Sequence, residues 1–153
     1  MTNLYHREGN LFHTDARAIG HGVNTLGLMD AGIAVQFKAM FPDMYLAYKA
    51  ACETGNFKGG MVFPWSLTST WQRNAYVMNI ASQEKPGRNA SYDFLVQGVT
   101  SSLAFCEGGE IDRLALPRLG SGIGGLDMDV VEGILGSLAA RYKTDIELWT
   151  YKP

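Results

Sequence analysis

Apolar and polar residues change their spacing several times along this chain, and each change predicts an element. Ala18-Ile19-Gly20-His21-Gly22-Val23 is a short run of apolar and small residues, the pattern of a buried strand. A loop from Asn24 to Ala31 follows. From Gly32 the positions Ile33, Phe37, Met40 and Phe41 recur at helical spacing until Pro42 stops the turn. Proline lacks the N–H that a helix leaves unpaired in its first turn, so Pro42 and Asp43 open a second helix running to about Thr54-Gly55. Gly60 to Trp65 and Ala75 to Ile80 read as two strands joined by a polar turn around Ser69 to Asn74. After the Pro86-Gly87 break, Tyr92, Val96, Val99, Leu103 and Cys106 are spaced as one face of a helix. Ile111 to Leu119 is a further strand, feeding a loop from Gly120 to Leu126. Asp129 and Glu132 form a capping-box-like pair for a helix whose apolar stripe is Val131, Ile134, Leu135 and Leu138. Ile146 to Tyr151 alternates as a last strand.

Strands alternating with helices predict an α/β fold: a mostly parallel sheet covered on both faces, with right-handed crossovers. Ligands in such folds bind beyond the carboxyl ends of the strands. Both glycine-rich loops of this chain lie at strand-to-helix junctions, so both open on that edge.

At 153 residues the chain fits a single domain over residues 1–153 with one core. Hydrophobic residues at 46% and charged ones at 18% are a globular composition. No apolar run approaches the roughly 20 residues of a membrane span, and the signal-peptide pattern is absent from the start, so a cytoplasmic location away from membranes is expected. Cys52 and Cys106 are far apart and read as buried thiols. His6, His13 and His21 lack metal-ligand spacing, so neither metal nor cofactor is expected. A net charge of −2 argues against binding an extended nucleic-acid backbone, leaving recognition of one terminal nucleotide open. A monomer is expected.

The first loop, Gly22 to Phe37, ends a strand and begins a helix, where unpaired N–H groups at the positive end of the helix dipole suit a phosphate. The second, Leu116 to Asp127, repeats this with Gly120, Gly122, Gly124 and Gly125. Neither holds a Lys or Arg between Gly22 and Gln36 or between Leu119 and Val131, so the anion must be held chiefly by backbone N–H groups, which fits a pyrophosphate. Gly120, Gly122 and Gly125 also satisfy the dinucleotide pattern GxGxxG, with Asp145 downstream. A Rossmann fold, however, would need further strand-helix units after it, and only one helix and one strand remain.

Asn24 with GIAVQF, FPDMYLAYK, NIASQEKPG and ALPRLGSGIGGLD together resemble the macrodomain family, in particular the branch of terminal ADP-ribose glycohydrolases and antitoxin macrodomains acting on DNA. The resemblance spans Gly9 to Tyr151. It implies a three-layer α/β/α fold with a mixed, mostly parallel six-stranded sheet and ADP-ribose across its top. It puts the diphosphate on Gly32, Ile33 and Ala34 from one side and on Gly120, Ser121, Gly122, Ile123 and Gly124 from the other, with Asn24 facing the distal ribose. The adenine falls to Asn10 and Leu11, in a segment where the family usually carries Asp and this chain reads Gly9-Asn10-Leu11.

The lysine that attacks the ribose in the glycohydrolase branch is matched here by Gln83, whose amide is no nucleophile. The acid that some members carry in the second loop falls on Gly124. A water positioned by Asn24, Gln83, Glu84 or the diphosphate itself is the remaining route to hydrolysis, with Asp127 the carboxylate just past the loop. Glu84 reads equally as a solvated loop residue, and Asp127 as a helix start. Phe37, Phe41, Tyr45 and Tyr48 are spaced as core positions, and Trp71 as a residue that could flank the ligand mouth. Three functions stand: an enzyme releasing ADP-ribose from modified protein or nucleic acid, a reader that binds it without turnover, and an oxidoreductase built on the GxGxxG match.

Overall fold

The computed structural model describes residues 3–67 and 73–153, so Trp71 and most of the polar turn before Asn74 lie outside the described residues. In chain order the elements are β1 (Leu4–Glu8), β2 (Ala18–Val23), α1 (Ile33–Met40), α2 (Pro42–Glu53), β3 (Val62–Ser66), β4 (Tyr76–Ala81), α3 (Tyr92–Gly108), β5 (Arg113–Pro117), α4 (Met128–Ala139) and β6 (Asp145–Thr150). The strands form one sheet in the order β1-β6-β5-β2-β4-β3. Neighbours are parallel except for β3, which returns antiparallel to β4.

Side chains alternate across the strands and build a core on each face. Met78, Ile80, Leu114, Leu116, Ile146 and Leu148 meet Leu95, Val99 and Leu103 of α3 and Val131 and Leu135 of α4. On the other face Ile19, Val77 and Ala115 pack under Phe37 of α1 and Met44 and Tyr48 of α2. The result is three layers, α/β/α. β2 lies between β5 and β4, and a Cβ on Gly20 would stand 2.8 Å from Leu116 Cδ2 and 3.1 Å from the Met78 carbonyl. The small residues of that strand therefore follow from its crowded central position.

Several expectations need correcting. β1 was not anticipated: Tyr5 to Glu8 are exposed and carry no apolar alternation, and the strand exists because it pairs with β6 along the sheet edge. The face of α3 is displaced by about one residue, since Leu95, Val99, Ser102, Leu103 and Cys106 are buried while Tyr92 and Val96 point outward. Asp129 does not cap α4. Asp127 does, its carboxylate accepting the Asp129 N–H at 2.8 Å, and Glu132 instead approaches His6 at 3.3 Å. Cys106 is buried, and burial pushes its thiol up to about 12, but Cys52 is only half-buried.

Candidate functional site

Five parallel strands end on one edge of the sheet, and the segments that leave them converge there. A cavity of about 390 Å³ lies between the loop after β2, the turn after β4 and the loop after β5. A second cavity of about 290 Å³ shares Gly32, Ile33, Pro117 and Arg118 with it and extends to Gly9, Asn10 and Leu11 after β1 and to Trp149 and Tyr151 at the end of β6. Together they form one trough along the carboxyl edge, with volumes in the range of small-molecule sites.

Gly32 makes the first wall possible. Its φ of 62° and ψ of −148° belong to a region essentially closed to other residues, and it caps α1 without any side-chain hydrogen bond. Ile33 and Ala34 of the first turn line the cavity at the positive end of the helix dipole, while the Val35 N–H closes back on the Gly32 carbonyl at 3.3 Å. Across the trough stands Ile123: a Cβ on Gly32 would lie 3.7 Å from its Cδ1. Gly124 is needed for close approach, since a Cβ there would stand 2.9 Å from Ala90 Cβ and 3.3 Å from Gln83 Oε1.

Of the residues singled out in the sequence, the larger cavity brings together Asn24, Gly32, Ile33, Ala34, Gln83, Gly120, Ser121, Ile123 and Gly124. Asn10 and Leu11 line the smaller one. Asn24 is nearly buried, and its amide organises the first loop: Nδ2 donates to the Leu28 carbonyl at 2.9 Å, while Oδ1 accepts from Leu26 N–H and Leu28 N–H, and the Tyr48 hydroxyl donates to the Asn24 backbone carbonyl at 2.7 Å. Burial raises the Tyr48 phenol, so it remains a neutral donor. Gln83 Nε2 donates to the carbonyls of Lys85 and Gly87 at 2.7 and 3.2 Å, which holds the turn after β4 and leaves Oε1 toward Gly124.

Three residues do not line the trough. Glu84 is exposed, its carboxylate accepting the Gly59 N–H at 3.2 Å while its carbonyl accepts from Thr25. Asp127 is occupied as the cap of α4, and Gly122 projects toward open space. The trough instead contains residues that sequence reasoning passed over: Asp30, Gln36, Arg118, Trp149 and Tyr151. Arg118 precedes the glycines by two positions and is the cation lining both cavities, so the trough's donors are not backbone alone. Trp149 is set by the buried Glu147. Burial alone would raise that carboxyl, but bonds from Thr14 at 2.6 Å, Trp149 Nε1 at 3.0 Å and Arg113 at 2.8 Å hold it below its usual range. No short motif marks these residues, whose role comes from where β5 and β6 end.

Among the described residues no three His, Cys, Asp or Glu side chains come together as a metal site, and no helix is long and apolar enough to cross a membrane. A mixed sheet covered by helices on both faces, with two glycine-bearing loops meeting over its carboxyl edge, defines the class of fold. The Macro domain family model matches residues 21–135, and the chain belongs to that family. A DNA ADP-ribosyl glycohydrolase of Thermus aquaticus is 32% identical over 146 residues, covering 95% of this chain and 40% of the relative. The chain thus spans well under half the length of that protein. The macrodomain of Mycobacterium tuberculosis DarG superposes with a TM-score of 0.88 at 27% identity, covering 97% of this chain and 98% of that one. Thermosipho africanus DarTG in complex with ADP-ribose shares the fold, with a TM-score of 0.83 at 19% identity over 96% of this chain and 43% of that one. The GxGxxG match therefore belongs to a macrodomain loop between β5 and α4, with only β6 following.

Proposed function

We propose that this chain binds ADP-ribose along the trough and releases it by hydrolysis from a modified nucleic acid or protein, DNA being the substrate favoured by the names of its relatives. The observation that carries the reading is the pair of glycine-bearing loops facing each other across one cavity. The diphosphate lies between Gly32, Ile33 and Ala34 on one side and Gly120, Ser121, Ile123 and Gly124 on the other, with the Arg118 guanidinium adding charge. The base enters the smaller cavity beside Asn10 and Leu11, and the distal ribose points toward Asn24 and Gln83.

Hydrolysis here needs no covalent intermediate. Water replaces the attached group at the anomeric carbon through an oxocarbenium-like state, which the neighbouring diphosphate charge stabilises. Asp30 is the carboxylate on the cavity wall, exposed and 3.7 Å from Lys38, and takes the part of water acceptor that Glu84, turned away to Gly59, does not. Binding without turnover is the second reading, favoured by the commitment of both Gln83 amide hydrogens to the turn it holds. We further place residues 1–153 in one cytoplasmic, monomeric domain whose partners carry ADP-ribose. The net charge of −2 supports recognition of one modified nucleotide over a long strand.

The test is incubation with ADP-ribosylated DNA and protein, with released ADP-ribose read by mass spectrometry. Release is expected from the wild type and from Glu84→Gln, and at least tenfold slower release from Asp30→Asn with unchanged ADP-ribose affinity. Binding without release selects the second reading, and no binding at millimolar ADP-ribose overturns both.

A further inference from the structure

Ser82 follows the last residue of β4 and lines the larger cavity, yet it is only 2% exposed. Its backbone is committed, the N–H to the Ile80 carbonyl at 2.8 Å and the carbonyl to the Ser91 N–H at 2.9 Å. Its Oγ has no hydrogen-bond partner among the described residues and opens to the cavity, whereas the orphaned His21 Nδ1 is sealed in the core. A nearly buried hydroxyl without a partner carries a desolvation cost that a bound group relieves. Gly22 makes the space for it. No positive φ calls for glycine at that position. A Cβ there would instead stand 2.6 Å from Ser82 Oγ, while its next neighbours, Leu119 Cβ and Ser82 Cβ, lie at an ordinary 3.6 Å. The hydroxyl is thus what a side chain at residue 22 would displace.

Position along the sheet edge tells what this hydroxyl meets. Val23 pairs with Ala81, so Ser82 leaves the sheet beside Asn24, where the proposed function puts the distal ribose, and it belongs to neither of the glycine-bearing loops. The neighbouring amides are largely spent. Asn24 Nδ2 is given to the Leu28 carbonyl and its Oδ1 to the Leu26 and Leu28 N–H groups, while Gln83 Nε2 is given to the carbonyls of Lys85 and Gly87. A serine hydroxyl both donates and accepts, as does each hydroxyl of a ribose. We infer that Ser82 Oγ hydrogen-bonds a hydroxyl of the ligand's terminal ribose, and that it favours a nucleoside diphosphate carrying this sugar over the bare nucleoside diphosphate. The inference rests on the proposed function, from which it takes the direction in which the nucleotide lies.

Calorimetric titration with ADP-ribose and with ADP tests it, on the wild type, Ser82→Ala and Gly22→Ala. Ser82→Ala removes the hydroxyl and adds nothing, and Gly22→Ala pushes the hydroxyl aside while leaving it in the chain. Each should lower the preference for ADP-ribose over ADP by about threefold or more, the net worth of one neutral hydrogen bond, with ADP affinity held within about twofold of the wild type. Ser82→Ala decides alone should Gly22→Ala fail to fold. A preference that Ser82→Ala shifts by less than about threefold, or affinities for the two nucleotides that fall together, overturns the inference and leaves the proposed function standing. In that case the hydroxyl serves the diphosphate or only the protein. Failure of the wild type to bind ADP-ribose at millimolar concentration overturns the proposed function and this inference with it.

Discussion

His21 sits in β2 beneath α1, completely buried, with its ring stacked on Phe37 at 3.8 Å between centroids. Asn79 Nδ2 donates to the Phe63 carbonyl at 3.0 Å, so its Oδ1 is the acceptor facing His21 Nε2 at 2.7 Å, and Nε2 carries the hydrogen. Nδ1 has no partner among the described residues. Burial pulls the imidazole down to about 4, against the pull of the Asn79 bond. A histidine whose folded value lies below its unfolded value of about 6.5 contributes stability that is complete above 6.5 and is lost as pH falls toward 4. Linkage over that gap gives a loss of about 2 kcal/mol at pH 5 and about 3 kcal/mol at pH 4, relative to pH 7.5. For a chain of 153 residues the first figure is a fall of about 4–8 °C in Tm. Because α1 supplies the Gly32 wall, acid should disorder the trough together with the core beneath it. The assay is scanning calorimetry at pH 7.5 and 5.0 on the wild type and on His21→Gln, which can still donate to Asn79 but does not titrate. The variant should begin less stable and show little of the pH 5 loss, all other groups being common to both. Equal losses in the two proteins would refute the assignment to His21.

Two further substitutions probe the trough. In Gly124→Val the new Cβ meets Ala90 at 2.9 Å and forces the second loop off the cavity, so ADP-ribose affinity should fall at least tenfold in calorimetry. Undiminished affinity would move the diphosphate elsewhere. Asn24→Ala removes the acceptor of two loop N–H groups and the donor to the Leu28 carbonyl, while the Tyr48 hydroxyl keeps the backbone carbonyl of residue 24, and should cost about 2–3 kcal/mol in urea denaturation together with most of the affinity. A loss below about 1 kcal/mol would show that the loop is held by other contacts.

Local pattern was enough to reveal β2, α1, α2, β4 and α4, because apolar spacing and proline or glycine punctuation act within a few residues. The two loops were legible for the same reason: Gly32 and the Gly120 to Gly125 run mark the turns that leave β2 and β5. β1 was not, since a polar edge strand is held by its partner β6 and carries no hydrophobic signal of its own. Nor could spacing show which polar groups are free. Glu84 reads equally as a water-positioning group or a solvated loop carboxylate, and only the fold turns it to the Gly59 N–H, while Asp127 stands at the start of α4 as its sequence position suggests. Arg118, Trp149 and Tyr151 join Asn10 only because β5 and β6 end beside β1, which lies more than a hundred residues earlier in the chain. Sequence alone determined most of the elements and the two glycine-bearing turns, which are local and periodic. The sheet order decided which side chains share the cavity and which hydrogen-bonding groups are left for a ligand, because those depend on neighbours that the chain order does not reveal.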